Sequence, residues 1–421
     1  MSIDAQKRVR SGAPAAARAP RAAAFAAAFA LSAAQGTAAA QEEWPPRLRL
    51  GDHFSVRPQG LLHLDLGTTF DHDGVGGPSG GVNARRARIG VEGDFLDDFE
   101  FKLIWDFGGV PGNRNRLYQA SLAYNGLGPA TVIGGVFEPI FSLQQASATQ
   151  NLLFLERATI VRVTADLAAG TNRVGAEVHA NGERWLASAA LTGGRTGPGT
   201  DSSERGAVAR VAGSVARTEN IAAHLGLSGV WSFRPSRGSD GRSVSFTQDA
   251  ELALDRDFPL DSGPIRSDSA WAGGLELGAS WKRLQVQGEW YRIEVDRAGP
   301  GRGGKLGFSG WYAQAGYVLR GEPRNYRSRD ATWGQPDPND GGFDLKGGGW
   351  GTFEAGLRFS EVDLNDAEVR GGRQRVWTAG LAWWPVRRIA VYGQYQHTSI
   401  TGLESGRLSF QTLALRTMVN F

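Results

Sequence analysis

A few groupings of residues have types and spacings that chemistry could use. Gly77-Pro78-Ser79-Gly80-Gly81 fits the G-x-S-x-G pattern of a nucleophilic serine. Such a serine needs a strand-turn-helix around it, and this one sits in a glycine-rich stretch with no helical periodicity. Gly299, Gly301 and Gly304 fit G-x-G-x-x-G, but no helix follows to receive a pyrophosphate. His72 lies between Asp71 and Asp73, and Glu361, Asp363 and Asp366 offer the oxygens calcium prefers. These acids lack the spacing of a calcium loop, and a solvated surface is the simpler reading of both groups. There is no cysteine, which excludes disulfides, thiolate metal sites and cysteine nucleophiles. The residues thus point to no catalytic centre, no metal and no cofactor.

The elements that carry these residues read as strands. After residue 60, apolar and polar residues alternate over segments of about 10, as in a strand with one face in lipid. Trp271, Gly273, Leu275, Leu277, Ala279 and Trp281 share one face; Ala272, Gly274, Glu276, Gly278 and Ser280 share the other. Lys282-Arg283 makes a tight turn, and Leu284, Val286, Gly288 and Trp290 resume the apolar face. Phe353, Ala355, Leu357 and Phe359 oppose Glu354, Gly356 and Arg358. Phe99, Phe101, Leu103 and Trp105 oppose Glu100, Lys102 and Asp106. Charged faces behind a continuous lipid-facing band must line a lumen, because hydrocarbon offers them no partner. The 59 glycines and 13 tryptophans suit close strand packing and interfacial girdles. The chain closes on Leu413, Leu415, Thr417, Val419 and Phe421, one face of a final strand.

A direct count gives about 17 strand-like segments, whereas single-chain bacterial barrels hold an even number. The short connections at 94–98, 126–129, 181–183, 217–219, 282–283 and 385–387 share one rim only under one condition. The segment 243–254 must belong to a long external loop, 234–268. The expectation is an all-β, 16-stranded antiparallel transmembrane barrel with both termini periplasmic. The connection 321–348 is long for a periplasmic turn.

The first forty residues read as a secretory leader. Lys7, Arg8, Arg10, Arg18 and Arg21 form a basic front, Ala22 to Ala34 an apolar run, and Ala38-Ala39-Ala40 a cleavage site before Gln41. The division expected is a signal peptide at 1–40 and an outer-membrane barrel at 41–421. The formal charge of +3 falls to about −1 without the leader, so the basic balance does not argue for nucleic acid.

Several stretches are similar to the phosphate-selective porin O and P family. They include ARRARIGVEGDF at 84–95, DFEFKLIWDF at 98–107 and IGGVFEPIFSLQQASATQNLLFLERA at 133–158. LQVQGEWYRIEV at 284–295, FSGWYAQAGYVLRGEPRNY at 308–326, FSEVDLND at 359–366 and the glycines 371–372 follow in family order. The resemblance implies a homotrimer of 16-stranded outer-membrane porins, with small anions such as phosphate and membrane lipids as partners. It also implies an inward-folded third loop, about 138–172, that narrows the channel.

The resemblance further implies that Arg85, Arg86 and Arg157 help to bind phosphate. The chemistry fits, since a guanidinium holds a rigid fork of donors matched to oxyanions and stays charged. If Ile89 and Val91 face lipid, Arg86 and Arg88 face the lumen, while Arg85 has outward parity and must sit above the membrane or on an irregular strand start. Arg88 has a second reading, as scaffold paired with Glu92, Glu100 or Asp106. The constriction is expected at Gln145, Thr149 and Gln150, with Lys102 and Asp106 on the wall. Family members carry lysines and serines in that loop, whereas Gln144 to Gln150 here holds no cation. The expected function is therefore a channel with weak anion preference. The alternatives are an unselective diffusion porin, or a barrel-borne lipase or protease.

Overall fold

The computed structural model describes residues 44–421 except 74–77, 110–115, 198–199, 255–258, 300–303, 339–342 and 405. The expected leader, 1–40, lies outside the described residues, as do Gly77 and Gly301 of the two glycine motifs.

Among the described residues, sixteen antiparallel strands close into one barrel. They are β1 (Phe54–Asp73), β2 (Gly80–Phe95), β3 (Phe99–Asp106), β4 (Arg116–Leu127), β5 (Ala130–Phe137), β6 (Arg173–Asn181), β7 (Trp185–Arg195) and β8 (Arg205–Arg217). Then come β9 (Ile221–Arg234), β10 (Ile265–Trp281), β11 (Leu284–Arg297), β12 (Lys305–Arg320), β13 (Thr352–Asp366), β14 (Val369–Val386), β15 (Ile389–Leu403) and β16 (Gly406–Asn420). Each pairs with the next, and β1 closes on β16 from Leu61↔Asn420 to Asp73↔Ser409. No helix among the described residues is long and apolar enough to cross a membrane; the crossing segments are the strands.

Alternation sets the two faces. On β13, Glu354, Gly356, Arg358 and Ser360 are buried inside, while Leu357 between them is 63% exposed. Closure leaves no strand edge unpaired, which hydrocarbon requires. The tight turns 96–98, 128–129, 182–184, 218–220, 282–283 and 387–388 all lie on the rim that carries the termini, the periplasmic rim by the general rule for such barrels. At 96–98, Leu96 and Asp97 both take positive φ, at 49° and 63°, the geometry that lets two strands turn back without splaying. The segment 243–254 belongs to the external loop, which runs over 235–264.

Three connections fold into the barrel. The first, 138–172, contains α1 (Leu143–Ala146) and α2 (Thr159–Ala168). It seats against wall glycines: a Cβ on Gly356 would meet Leu153 at 2.9 Å, and one on Gly380 would meet Phe154 at 3.2 Å. The second is the external loop 235–264, whose Glu251 is fully buried against Arg358 and Ser360. The third is the long periplasmic connection, 321–351. Its Tyr326, Ala331 and Trp333 pack with Leu143 of the first loop and with Leu186 and Ala212 of the wall. Arg324 ties it to Glu354 and to the Asn151 carbonyl. Its first part, around Arg324 to Trp333, packs inside the lower lumen, whereas 343–348 are exposed.

Candidate functional site

Several inward-facing arginines stand close together on β2 and the strands around it, while others, such as Arg210 on β8 and Arg358 on β13, lie elsewhere on the wall. His63 of β1 pairs with Arg86, and Leu64 with Ala84, so Arg85 is an extra residue in the β1–β2 ladder. This β-bulge is the strand irregularity that is one of the two placements expected for Arg85. An inserted residue resets the alternation, and both arginines of the pair point inward.

Their common partner is Glu156, brought in by the first loop. Arg85 meets it at 3.0 and 3.2 Å. Arg86 grips both carboxylate oxygens at 3.0 and 3.1 Å. Arg416, on β16, reaches Glu156 at 2.9 Å while holding both oxygens of Asp65 at 2.6 Å. Three guanidiniums thus stand against two carboxylates, with His63 Nδ1 3.2 Å from Arg86. Burial alone would raise the Glu156 carboxyl, but Arg85, Arg86 and Arg416 outweigh it and hold it well below the usual carboxylate range.

Arg88 lies one layer along. Its Nε donates to Asp106 at 2.9 Å, and its guanidinium stacks over the Tyr118 ring at 3.5 Å. Asp106 also accepts from the Ala87 and Gly108 amides and lies 4.0 Å from Arg116. The two arginines share one carboxylate. Nε of Arg86 and Nε of Arg116 are buried with no hydrogen-bond partner among the described residues. Arg116 and Arg416, which complete this cluster, are not in the motif stretches. Arg116 opens β4 in the same register layer as Asp106, and strand pairing is the signal that could have found it.

Arg157 is placed differently. Its guanidinium donates to the carbonyls of Gln144, Gln145 and Ser147, at 2.9, 3.1 and 2.9 Å. It ties the first loop back onto itself rather than joining the Glu156 cluster. Of the expected constriction residues, Gln145 is buried and donates to Glu138. Thr149 and Gln150 are half-buried in a short 3-10 turn. Lys102 pairs with Glu100 at 2.8 Å and stands 3.8 Å from Glu92. The structure therefore brings together Arg85, Arg86, Arg88 and Asp106, and sets Lys102 apart in its own acidic cluster.

Two further acids hold backbone of the first loop, Glu289 on the wall and Glu251 in the external loop. Glu289 of β11 accepts from the amides of Leu143 and Gln144, at 3.1 and 2.8 Å, at the start of α1. Glu251 accepts from the Thr159 amide at 2.9 Å, at the start of α2. Helix N-termini present unpaired amides and favour negative charge, so these carboxylates fix the loop and are partly neutralised by doing so. Buried donors without a partner among the described residues also occur on other walls, Arg173 Nε and Arg358 Nε among them, but the convergence of Arg85, Arg86 and Arg416 on Glu156 lies beside β2.

Residues 58–421 match the family described as phosphate-selective porin O and P. An uncharacterized protein of Caulobacter vibrioides is 25% identical over 380 residues, covering 86% of this chain and 72% of that protein. Porin O of Pseudomonas aeruginosa is 24% identical over 376 residues, covering 81% of this chain and 82% of its own. Among solved structures, the anion-selective porin from Comamonas acidovorans superposes with a TM-score of 0.54 at 14% identity, covering 87% of this chain and all of that one. That likeness shows the fold. With the family matched over nearly the whole barrel, this chain belongs to the phosphate-selective porin O and P family and forms a channel of the bacterial outer membrane.

Proposed function

We propose that the mature chain, residues 41–421 after removal of a leader, assembles as a homotrimer of water-filled channels for small solutes with a weak preference for anions. The contact for a passing oxyanion such as phosphate is built from Arg85 and Arg86, with Arg88 and Arg116 one layer along. One observation carries this reading: three guanidiniums converge on the single carboxylate of Glu156, and Arg86 keeps a buried Nε donor that no described residue satisfies. A charged fork with a donor to spare attracts an oxyanion, and a narrow lumen focuses that attraction. The preference stays weak because Gln144 to Gln150 contributes no cation and because each arginine already shares a carboxylate. Arg157 acts as a positioning residue for the narrowing loop.

Single-channel conductance in a planar bilayer tests this. A potassium chloride gradient should give a zero-current potential of anion-selective sign, and phosphate should reduce chloride current. Arg86→Ala should weaken both effects. Equal permeability to potassium and chloride, unaffected by phosphate, would sink the anion reading and leave a general diffusion porin.

A further inference from the structure

The outer wall of β7–β10 carries a groove. Ala189, Ala209, Gly229 and Gly273 are successive cross-strand partners, giving a row of small residues across four strands. Leu191 and the cross-strand pair Trp231↔Trp271 stand over that row toward the external rim. The result is an apolar groove of about 800 Å³ sunk into the barrel surface. Immediately above it the rim is crowded with arginine. Arg205 and Arg234 are directly paired across β8 and β9, and Arg237 faces Arg242 across a short hairpin in the external loop. Arg266, at the start of β10, pairs with Ser243 of the same hairpin. Like charges directly opposite each other are destabilising, and two such pairs lie within a few residues.

The nearby acids do not cancel them. Asp201 accepts from the Arg237 backbone amide and stands 4.0 Å from Arg242. Glu204 is held by buried Arg173. Asp240 and Asp268 are exposed, which leaves five guanidiniums against three available carboxylates. Among the described residues, the guanidiniums of Arg234, Arg237 and Arg266 take part in no hydrogen bond or ion pair, and all three are exposed. A polycationic rim over an apolar groove fits one class of occupant, with phosphate at one end and hydrocarbon at the other. Guanidinium forks match phosphate oxygens. A floor without large side chains lets an acyl chain lie close against the strands and gain dispersion contacts.

We propose that this face binds a phosphorylated, multiply acylated lipid of the outer leaflet, with an acyl chain in the groove and a phosphate on Arg234, Arg237 and Arg266. Native mass spectrometry of the full-length detergent-solubilised protein tests it, with purified bisphosphorylated lipid A as probe and phosphatidylcholine as comparison. Lipid A should bind as a saturable adduct of one per protomer, well above phosphatidylcholine. The double variant Arg234→Glu, Arg237→Glu should lower its occupancy at least about tenfold. Ala209→Trp, which fills the groove and leaves the arginines untouched, should do the same. Heat-modifiable gel mobility confirms that each variant is a closed barrel. If either variant fails to form one, Arg266→Glu or Gly229→Leu replaces it. Adducts no stronger than phosphatidylcholine, or loss in only one of the two variants, would overturn the two-part site. Ala209→Trp releasing monomers with lipid occupancy unchanged would instead assign the face to a second copy of the chain.

Discussion

Arg86 and Glu156 meet fork to fork across the lumen, Nη1 to Oε1 at 3.0 Å and Nη2 to Oε2 at 3.1 Å, although they lie 70 residues apart. The pair does two things at once. It anchors the first loop to the wall, and it cancels part of the arginine charge that the bulge at Arg85 concentrates there. Ion preference and loop position therefore share one carboxylate.

Replacing Glu156 by Gln should separate these roles. The substitution keeps the shape and removes the charge that Arg85, Arg86 and Arg416 share. The chloride-to-potassium permeability ratio should rise roughly threefold, read as a larger zero-current potential in a salt gradient. A fall in anion preference would show that the carboxylate does not govern the local field.

Arg157 makes a contrasting case. Its three carbonyl partners are buried, and each would lose a charge-assisted donor in Arg157→Ala, at about 1–3 kcal/mol per unpaired group. The expected result is a loosened loop and fluctuating single-channel current, with the zero-current potential nearly unchanged. A selectivity loss as large as that of Arg86→Ala, with steady current, would return Arg157 to the anion contact.

The barrel was legible because alternation has a period of two and every lipid-facing strand repeats it; Trp271 to Trp281 and Phe353 to Phe359 read correctly residue by residue. Turn sides also followed, since placing 243–254 in a loop made the parity consistent. Arg85 is legible only as an alternative, because a bulge inserts one residue and leaves no local mark: counting from Ile89 leaves a place above the membrane or an irregular strand start, and the register shift shows the second. The internal contents were hidden too. Arg324 meets Glu354 and Tyr326 meets His224 across 30 and 102 residues, and such pairings have no periodic signature. The 321–348 segment announced itself only by length.

That segment gives a third expectation. Arg210 of β8 donates to the carbonyls of Asp330 and Ala331 at 2.9 and 3.0 Å, and Trp333 lies over Gly278, where a Cβ would meet it at 2.5 Å. The connection thus occupies part of the periplasmic opening. Replacing 323–349 by a short glycine-serine turn should raise single-channel conductance roughly twofold, with the ion preference kept. Unchanged conductance in a barrel that still folds would mean that the narrowest point lies wholly at the first loop.

The fourth expectation concerns acid. Glu156 sits in a loop, and its carboxyl is held well below the ordinary value despite its burial. For such a depressed group, the stabilisation is complete above the unfolded pKa and is lost as pH falls through the folded one. Between pH 7 and about 4.3, the ordinary glutamate value, Glu156 should therefore stay ionised and the loop docked. Acid also acts on the rest of the channel, so the wild-type potential alone does not isolate Glu156. The informative quantity is the difference in zero-current potential between the wild-type channel and Glu156→Gln. It should stay constant across this window and shrink only at more acidic pH. A difference that vanishes near pH 4.3 would show Glu156 titrating as an ordinary carboxylate, and the three arginines would then not be acting on it together.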